Sequence, residues 1–290
     1  MSTGQLTLPY RPSVHLKGSR ATPLRRGGST PADHLIVAFD FTALSPALAL
    51  ARQLRGLVPI IKIGSSLFTA CGPTVIERIR SMGFGVMLDL KFFDIPSTVE
   101  LSCRAAVHHQ VAMLTVHASG EPAMLEAAVH GVRDEAKKLG VSRPLILGVT
   151  VLTSVGSDSA ASVKKIVLSL AERAAASGCD GIVAAAQETV ALRQRFGDRF
   201  YIVCPGIRPA QADADSSIRP ASSLPARQVS PRGRAARMGS RDDQRRVCTP
   251  GEALASGASA LVIGRPITAA RDPRTVVEQI LREMEVDRGC

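Results

Sequence analysis

The chain contains no tryptophan and only two tyrosines, and aromatic residues make up 3% of its 290 positions. A surface that holds single-stranded nucleic acid by stacking bases on rings needs more of them. There is no C-x-x-C pair, and no secretory apolar segment. Cys71, Cys103, Cys179, Cys204, Cys248 and Cys290 are scattered, so neither a disulfide framework nor a zinc site is indicated, and a reducing cytoplasm is the expected compartment. No apolar run approaches the roughly 18 residues that a membrane span requires. The first strand-like run ends in Asp40-Phe41-Thr42. The Gly-rich turn that marks a doubly wound dinucleotide-binding sheet is therefore missing.

Acidic residues are nearly absent from two stretches, and this accounts for the basic character of the chain. Residues 1–33 carry Arg11, Lys17, Arg20, Arg25 and Arg26 against Asp33 alone, for +4. Residues 216–241 carry six arginines and no acid, for +6, so almost all of the net charge of +11 sits in these two segments. Both are rich in Pro, Gly and Ser, a composition that argues for a flexible tail and a disordered insertion rather than a basic folded surface. An Arg-rich, acid-poor beginning also resembles an organelle transit peptide, but Pro9, Pro12, Pro23 and Pro31 interrupt any continuous amphipathic helix.

What remains has a clear rhythm. Short β-branched runs at 35–40, 60–64, 85–90, 113–117, 145–151, 181–184, 200–204 and 260–264 alternate with helical periodicity at 46–55, 73–82, 98–110, 122–139, 162–177, 188–196, 250–256 and 273–286. Eight strands alternating with eight helices predict a (β/α)8 barrel of the TIM type, a single domain over 34–290 behind the basic extension 1–33. Polar residues gather at the carboxyl ends of the runs: Asp40, Lys62, Asp89 with Lys91, His117, Thr153, Arg208 and Arg265. In a barrel those ends meet on one face, where barrel enzymes keep their sites. The connection from Arg208 to Gln244 breaks the rhythm, being far longer than an ordinary loop.

The strongest local signal is Asp89-Leu90-Lys91-Phe92-Phe93-Asp94-Ile95-Pro96 at the end of the third run. Side chains two apart on a strand share a face, so Asp89 and Lys91 are expected in the barrel mouth, with Asp94 arriving from the loop beyond. Ionised groups held together away from water are costly, which makes a structural role at a strand end a poor explanation for this cluster. His117 is better read as a hydrogen-bonded structural group than as a catalyst.

The run DLKFFDIP resembles the signature of the orotidine 5'-phosphate decarboxylase family. It is accompanied in order by VAFD at Asp40, KIG at Lys62, TVHASG at His117, VTVLTS at Thr153, PGIRP at Arg208, DDQRR at Gln244 and GRPIT at Arg265. The resemblance implies decarboxylation of orotidine 5'-phosphate to UMP in de novo pyrimidine biosynthesis, with neither metal nor cofactor. It implies that Lys91 delivers a proton to C6, that Asp89 and Asp94 hold its ammonium, and that Lys62 completes an alternating charged array. Asp94 is expected across the interface of a homodimer with shared sites. Asp40 and Lys62 would bind the ribose, Thr153 would lie in the substrate-binding layer, and Arg208, Gln244, Gly264 and Arg265 would bind the phosphate.

The family joins PGIRP to the glutamine by a short loop, whereas this chain has roughly 25 additional residues there, far beyond the usual few-residue connection. Two alternatives differ in class. One is a magnesium-dependent sugar-phosphate synthase or decarboxylase of the same suprafamily, against which Lys62 stands, since a lysine there repels a metal. The other is a barrel that only scaffolds two basic nucleic-acid-binding segments, against which the poverty of aromatic residues stands.

Overall fold

The computed structural model describes residues 30–152, 160–209 and 248–286. Thr153, Gln244, the segment 216–241 and residues 1–29 lie outside the described residues. Eight strands hydrogen-bond in sequence order: β1 (Leu35–Phe39), β2 (Ile60–Gly64), β3 (Gly85–Phe92), β4 (Met113–His117), β5 (Leu145–Val149), β6 (Gly181–Val183), β7 (Tyr201–Cys204) and β8 (Ala260–Ile263). All pairs are parallel, and β1 meets β8 to close the cylinder, so the fold is the expected (β/α)8 barrel.

The helices are α1 (Leu44–Leu54), α2 (Ser65–Cys71), α3 (Thr74–Ser81), α4 (Pro96–His108), α5 (Pro122–Leu139), α6 (Ala160–Ala176), α7 (Ala186–Phe196), α8 (Pro250–Ala255), α9 (Arg265–Thr268) and α10 (Pro273–Val286). Their ends follow ordinary capping chemistry. Pro occupies the first turn of α4 and α5, where its missing N–H costs nothing. Gly140 closes α5 at φ 66°, and Thr249 with Glu252 forms a capping box on α8. Two short helices, α2 and α9, have no counterpart in the expected set, because so few residues carry no helical period. Thr30 and Asp33, counted with the basic extension above, cap a 3-10 turn over Pro31–His34 that leads into β1.

Parity along the strands divides the apolar residues into two layers. One set, including Leu35, Val37, Phe39, Ile61, Ile63, Val86, Leu88, Leu114, Val116, Leu261 and Ile263, packs outward against the helices. The alternate set, Ile36, Ala38, Ile60, Met87, Met113, Leu147, Tyr201, Val203, Ala260 and Val262, fills the barrel interior. Both faces are dry, which is why the strands read as continuous apolar runs. At Gly181 the neighbouring strand leaves no room for a side chain, since a Cβ there would sit 2.0 Å from the Tyr201 carbonyl oxygen.

No helix among the described residues is long and apolar enough to cross a membrane. After β7 the chain runs to Ile207, which forms a parallel bridge with Cys248, and the Arg208 amide donates to the Cys248 carbonyl at 3.0 Å. The two ends of segment 210–247 are thus held side by side. The barrel is therefore indifferent to how many residues lie between them, as the slow growth of loop-closure entropy also allows.

Candidate active site

The interior parity that fills the barrel also builds its rim. Continuing the inward set toward the carboxyl ends gives Asp40 after Ala38, Lys62 and Gly64 after Ile60, Asp89 after Met87, Thr115 and His117 after Met113, and Gly264 after Val262. Register aligns them: Ala38 lies opposite Lys62, and Gly64 opposite Asp89. Four charged side chains consequently meet in one arc around β1, β2 and β3. Lys62 Nζ lies 3.4 Å from Asp40 Oδ1 and 3.3 Å from Asp89 Oδ2, while Lys91 Nζ lies 2.9 Å from the same Asp89 Oδ2.

Asp89 is the pivot. It is 8% exposed, and its Oδ1 accepts a hydrogen bond from the Thr115 hydroxyl at 3.0 Å. Burial alone pushes its carboxyl up, but the ammonium groups of Lys62 and Lys91 and the hydrogen bonds from Lys91 and Thr115 together outweigh burial and hold it below the ordinary carboxylate range. Asp89 is thus kept ionised beside two cations.

Lys91 reaches this place by a break in the strand. The pairing of β3 with β4 shifts register between Leu88 and Phe92, and Lys91 adopts φ 50°, a left-handed conformation rare for a side chain of its size. The Lys91 amide, turned away from the ladder, donates instead to Thr115 Oγ at 2.9 Å. Strand parity alone would have placed Lys91 beside Asp89 by regular alternation. The irregularity instead folds its ammonium back onto the carboxylate.

Asp94 is not part of this arc within one chain. Its carboxylate is exposed and accepts from the Ile95 amide at 2.7 Å, and no cation among the described residues pairs with it. Its flanks are apolar and exposed: Phe93 is 61% and Ile95 64% accessible, and Leu101 follows on α4 at 67%. The Phe93 ring meets His117 edge-on at 5.6 Å. Desolvation first, and the Lys91 ammonium next, lower the His117 pKa, so its imidazole is neutral at physiological pH despite the opposing pull of Asp89.

Flanking the arc on its other edge, Gly264 follows β8 next to β1. A Cβ there would lie 3.4 Å from Ala38 Cβ and 3.7 Å from Asp40 Oδ2, so the β8 end abuts the charged arc through Asp40. Arg265 opens α9, is exposed, and has no acidic partner among the described residues. Arg208 follows the bridge at Ile207, half-buried. Gly64 is equally confined: a Cβ would stand 3.3 Å from both Asp40 Oδ1 and Lys62 Nζ.

The residue that sequence reasoning missed is Thr115. It stands in the quoted TVHASG run, two places before His117 and hence on the same strand face, which was the available signal. The five described cysteines are unbonded thiols, and desolvation pushes Cys103, Cys179 and Cys204 up to about 12, so these three are not nucleophiles.

The Orotidine 5'-phosphate decarboxylase / HUMPS family matches residues 33–223 and 215–280. The chain is 42% identical over 256 residues to the orotidine 5'-phosphate decarboxylase of Chromohalobacter salexigens, covering 86% of this chain and 95% of that one. It is 40% identical over 261 residues to the enzyme of that name from Moorella thermoacetica, covering 88% and 93%. Among solved structures, orotidine 5'-phosphate decarboxylase from Lactobacillus acidophilus superposes with a TM-score of 0.67 at 31% identity, covering 86% of this chain and 98% of the other. An uncharacterized conserved protein from Geobacillus kaustophilus gives 0.65 at 27% identity, covering 86% and 99%.

Proposed function

The chain belongs to the Orotidine 5'-phosphate decarboxylase / HUMPS family, and from that premise we propose that it converts orotidine 5'-phosphate to UMP, the decarboxylation of de novo pyrimidine biosynthesis. The observation that carries the reading is the shared use of Asp89 Oδ2 by Lys62 and Lys91 at the barrel mouth. Breaking the bond from C6 to the carboxylate leaves an electron pair on C6 with poor delocalisation, so a cation must already stand beside it. Lys91 is that cation and also the proton donor. Its ammonium gives a proton to C6 as carbon dioxide leaves, and the resulting amine recovers a proton from solvent before the next turnover. Asp89 keeps the ammonium in place beforehand, near the departing carboxylate.

Asp40 and Lys62 take the ribose hydroxyls, and Thr153 joins the substrate-binding layer. Arg208, Gln244, Gly264 and Arg265 hold the 5'-phosphate, a task suited to the planar guanidinium fork. The absence of an acidic partner for Arg265 among the described residues and the proximity of Gly264 to Asp40 support this assignment. Binding energy from the remote phosphate organises the array for the bond cleavage.

A homodimer with shared sites completes the reading. Asp94 of one subunit faces Lys91 of the other, and the exposed Phe93, Ile95 and Leu101 supply the apolar core of the contact. The enzyme works in the cytoplasm, without metal or cofactor, as one barrel domain behind the basic extension 1–33. Against the magnesium-dependent alternative, Lys62 Nζ sits between Asp40 and Asp89 at 3.4 and 3.3 Å, placing a positive charge between the carboxylates a divalent ion would need. Activity is therefore expected to survive excess EDTA. Against the nucleic-acid alternative stands the poverty of aromatic residues; binding whose salt slope collapses on removal of 1–33 and 216–241 would support it. The direct test follows the loss of orotidine 5'-phosphate absorbance with purified protein beside a Lys91→Ala control; an inactive wild-type protein would overturn the reading.

A further inference from the structure

Thr115 has no exposed surface and lies at the centre of β4, among the interior side chains and immediately beneath the rim. A threonine hydroxyl has one hydrogen to give and lone pairs to receive. The Lys91 amide can only donate, and it donates to Thr115 Oγ at 2.9 Å. The single hydroxyl hydrogen is therefore free to point at Asp89 Oδ1, 3.0 Å away. The sense of the chain is set: amide to hydroxyl to carboxylate.

Both ends of this chain matter to the charged array. At one end the amide belongs to the residue whose φ of 50° folds the Lys91 side chain back, and which has lost its partner in the β3–β4 ladder. A buried amide without an acceptor is costly, so the hydroxyl is what makes the irregular backbone tolerable. At the other end, holding Oδ1 leaves Oδ2 to serve both Lys62 and Lys91. A rotated carboxylate would meet the two ammonium groups unequally.

We propose that Thr115 is a positioning residue for the decarboxylation: its hydroxyl couples the left-handed backbone of Lys91 to the orientation of Asp89, so that the proton donor and its counter-ion are set by one hydrogen-bonded relay. This rests on the reading of Lys91 and Asp89 given under Proposed function. The groups that face Asp89 are Lys62 from β2, Lys91 from β3 and Thr115 from β4, with the neutral His117 at the end of β4 and Asp40 beyond Lys62.

The test compares Thr115→Val, which keeps the shape and removes the hydroxyl, with Thr115→Ser, which keeps the hydroxyl. Displacing a catalytic group by a fraction of an ångström to one ångström lowers turnover by up to about 100-fold. Thr115→Val is expected to lower kcat by about 30-fold or more with KM within about threefold, and Thr115→Ser to restore most of the turnover. A second readout does not need activity: the Asp89 carboxyl, followed by carbon NMR, should titrate at higher pH in Thr115→Val than in the wild type, and return in Thr115→Ser. If Thr115→Val does not fold, the Ser and Ala variants together isolate the hydroxyl. An Asp89 titration and kcat unchanged by loss of the hydroxyl would overturn the relay. A wild-type protein inert toward orotidine 5'-phosphate whose Asp89 titration still depends on Thr115 would overturn the function and leave the relay standing.

Discussion

Between β1 and β4 the candidate side chains, Asp94 apart, stand on the strands or, at Asp40, one residue past a strand end, whereas beyond β7 and β8 they stand on connections. On the first side, Asp40, Lys62, Asp89 and Thr115 follow directly from inward parity, and each is tied to a neighbour within 3.4 Å. On the second side, Arg208 lies past the end of β7 and Arg265 opens a helix of four residues, and the segment 210–247 separates the chain at Arg208 from its continuation at Cys248. Groups on strands inherit the rigidity of the ladder, and groups on loops take their position from whatever the loop meets. In the proposed function, bond cleavage, which needs charges placed to a fraction of an ångström, falls on the rigid side, and phosphate binding, whose energy can be delivered through closure of a loop, falls on the other.

That contrast can be broken most decisively at Lys91. Replacing it by alanine removes both the cation and the acid, and kcat should fall by at least about 10⁴-fold, with the native fold retained as judged by circular dichroism. Retention of turnover would place the chemistry elsewhere on the rim. Next comes subunit complementation: Lys91→Ala and Asp94→Ala are each expected to be severely impaired. Mixing them after dissociation should recover up to about a quarter of wild-type activity, because in a two-fold dimer one hybrid site carries neither change. Recovery of nothing would mean that Asp94 acts within its own chain or not at all.

On the loop side, Arg265→Ala should raise KM by about 30-fold, equivalent to about 2 kcal/mol of charge-assisted phosphate bonding, while binding of a ligand without phosphate changes little. A change confined to kcat would instead assign Arg265 to the rigid side. Stability against pH probes the array from another direction. Because the folded Asp89 carboxyl titrates below its unfolded value, its contribution is complete above about pH 4 and is lost as pH falls through the folded value. Asp89→Asn should therefore cost about 2 kcal/mol at pH 7, since Lys91 loses its carboxylate and Lys62 keeps only Asp40, and progressively less in denaturation measured below pH 4. The smallest effect is expected from deleting 216–241, which should lower KM several-fold, about 1 kcal/mol, by shortening the connection that must close over phosphate. An unchanged KM would show that the insertion is neutral to binding.

Legibility followed the same division. The strands at 60–64 and 113–117 and the helices at 122–139 and 273–286 have the bounds expected from pattern alone; Pro59 with Gly64, Pro122 with Gly140, and Pro273 punctuate three of these four elements and leave little freedom in where they start. Elsewhere ends moved by a residue or two. The exception of consequence is β3, which extends past Leu90 to Phe92 through a register shift that no periodicity signals. Thr115 was likewise hidden: a β-branched residue inside an apolar run reads as packing, and only the neighbouring strand reveals what its hydroxyl holds. Asp94 was legible as a charged residue of the motif, yet among the described residues of the chain it meets no cation. In the proposed function its partner is Lys91 of a second subunit.

By itself the sequence determined the barrel, the order of its strands and which charged residues reach the rim, because period-two alternation on parallel strands leaves only one face for each side chain. It also located the long connection after β7 and the two basic segments, which composition alone reports. Only the tertiary structure decided that Asp89 serves two lysines through one oxygen, that Lys91 turns back through a left-handed residue, and that a threonine from the next strand holds both. Those relations join residues on separate strands at hydrogen-bond distance. They depend on register across the sheet, which no spacing along the chain contains.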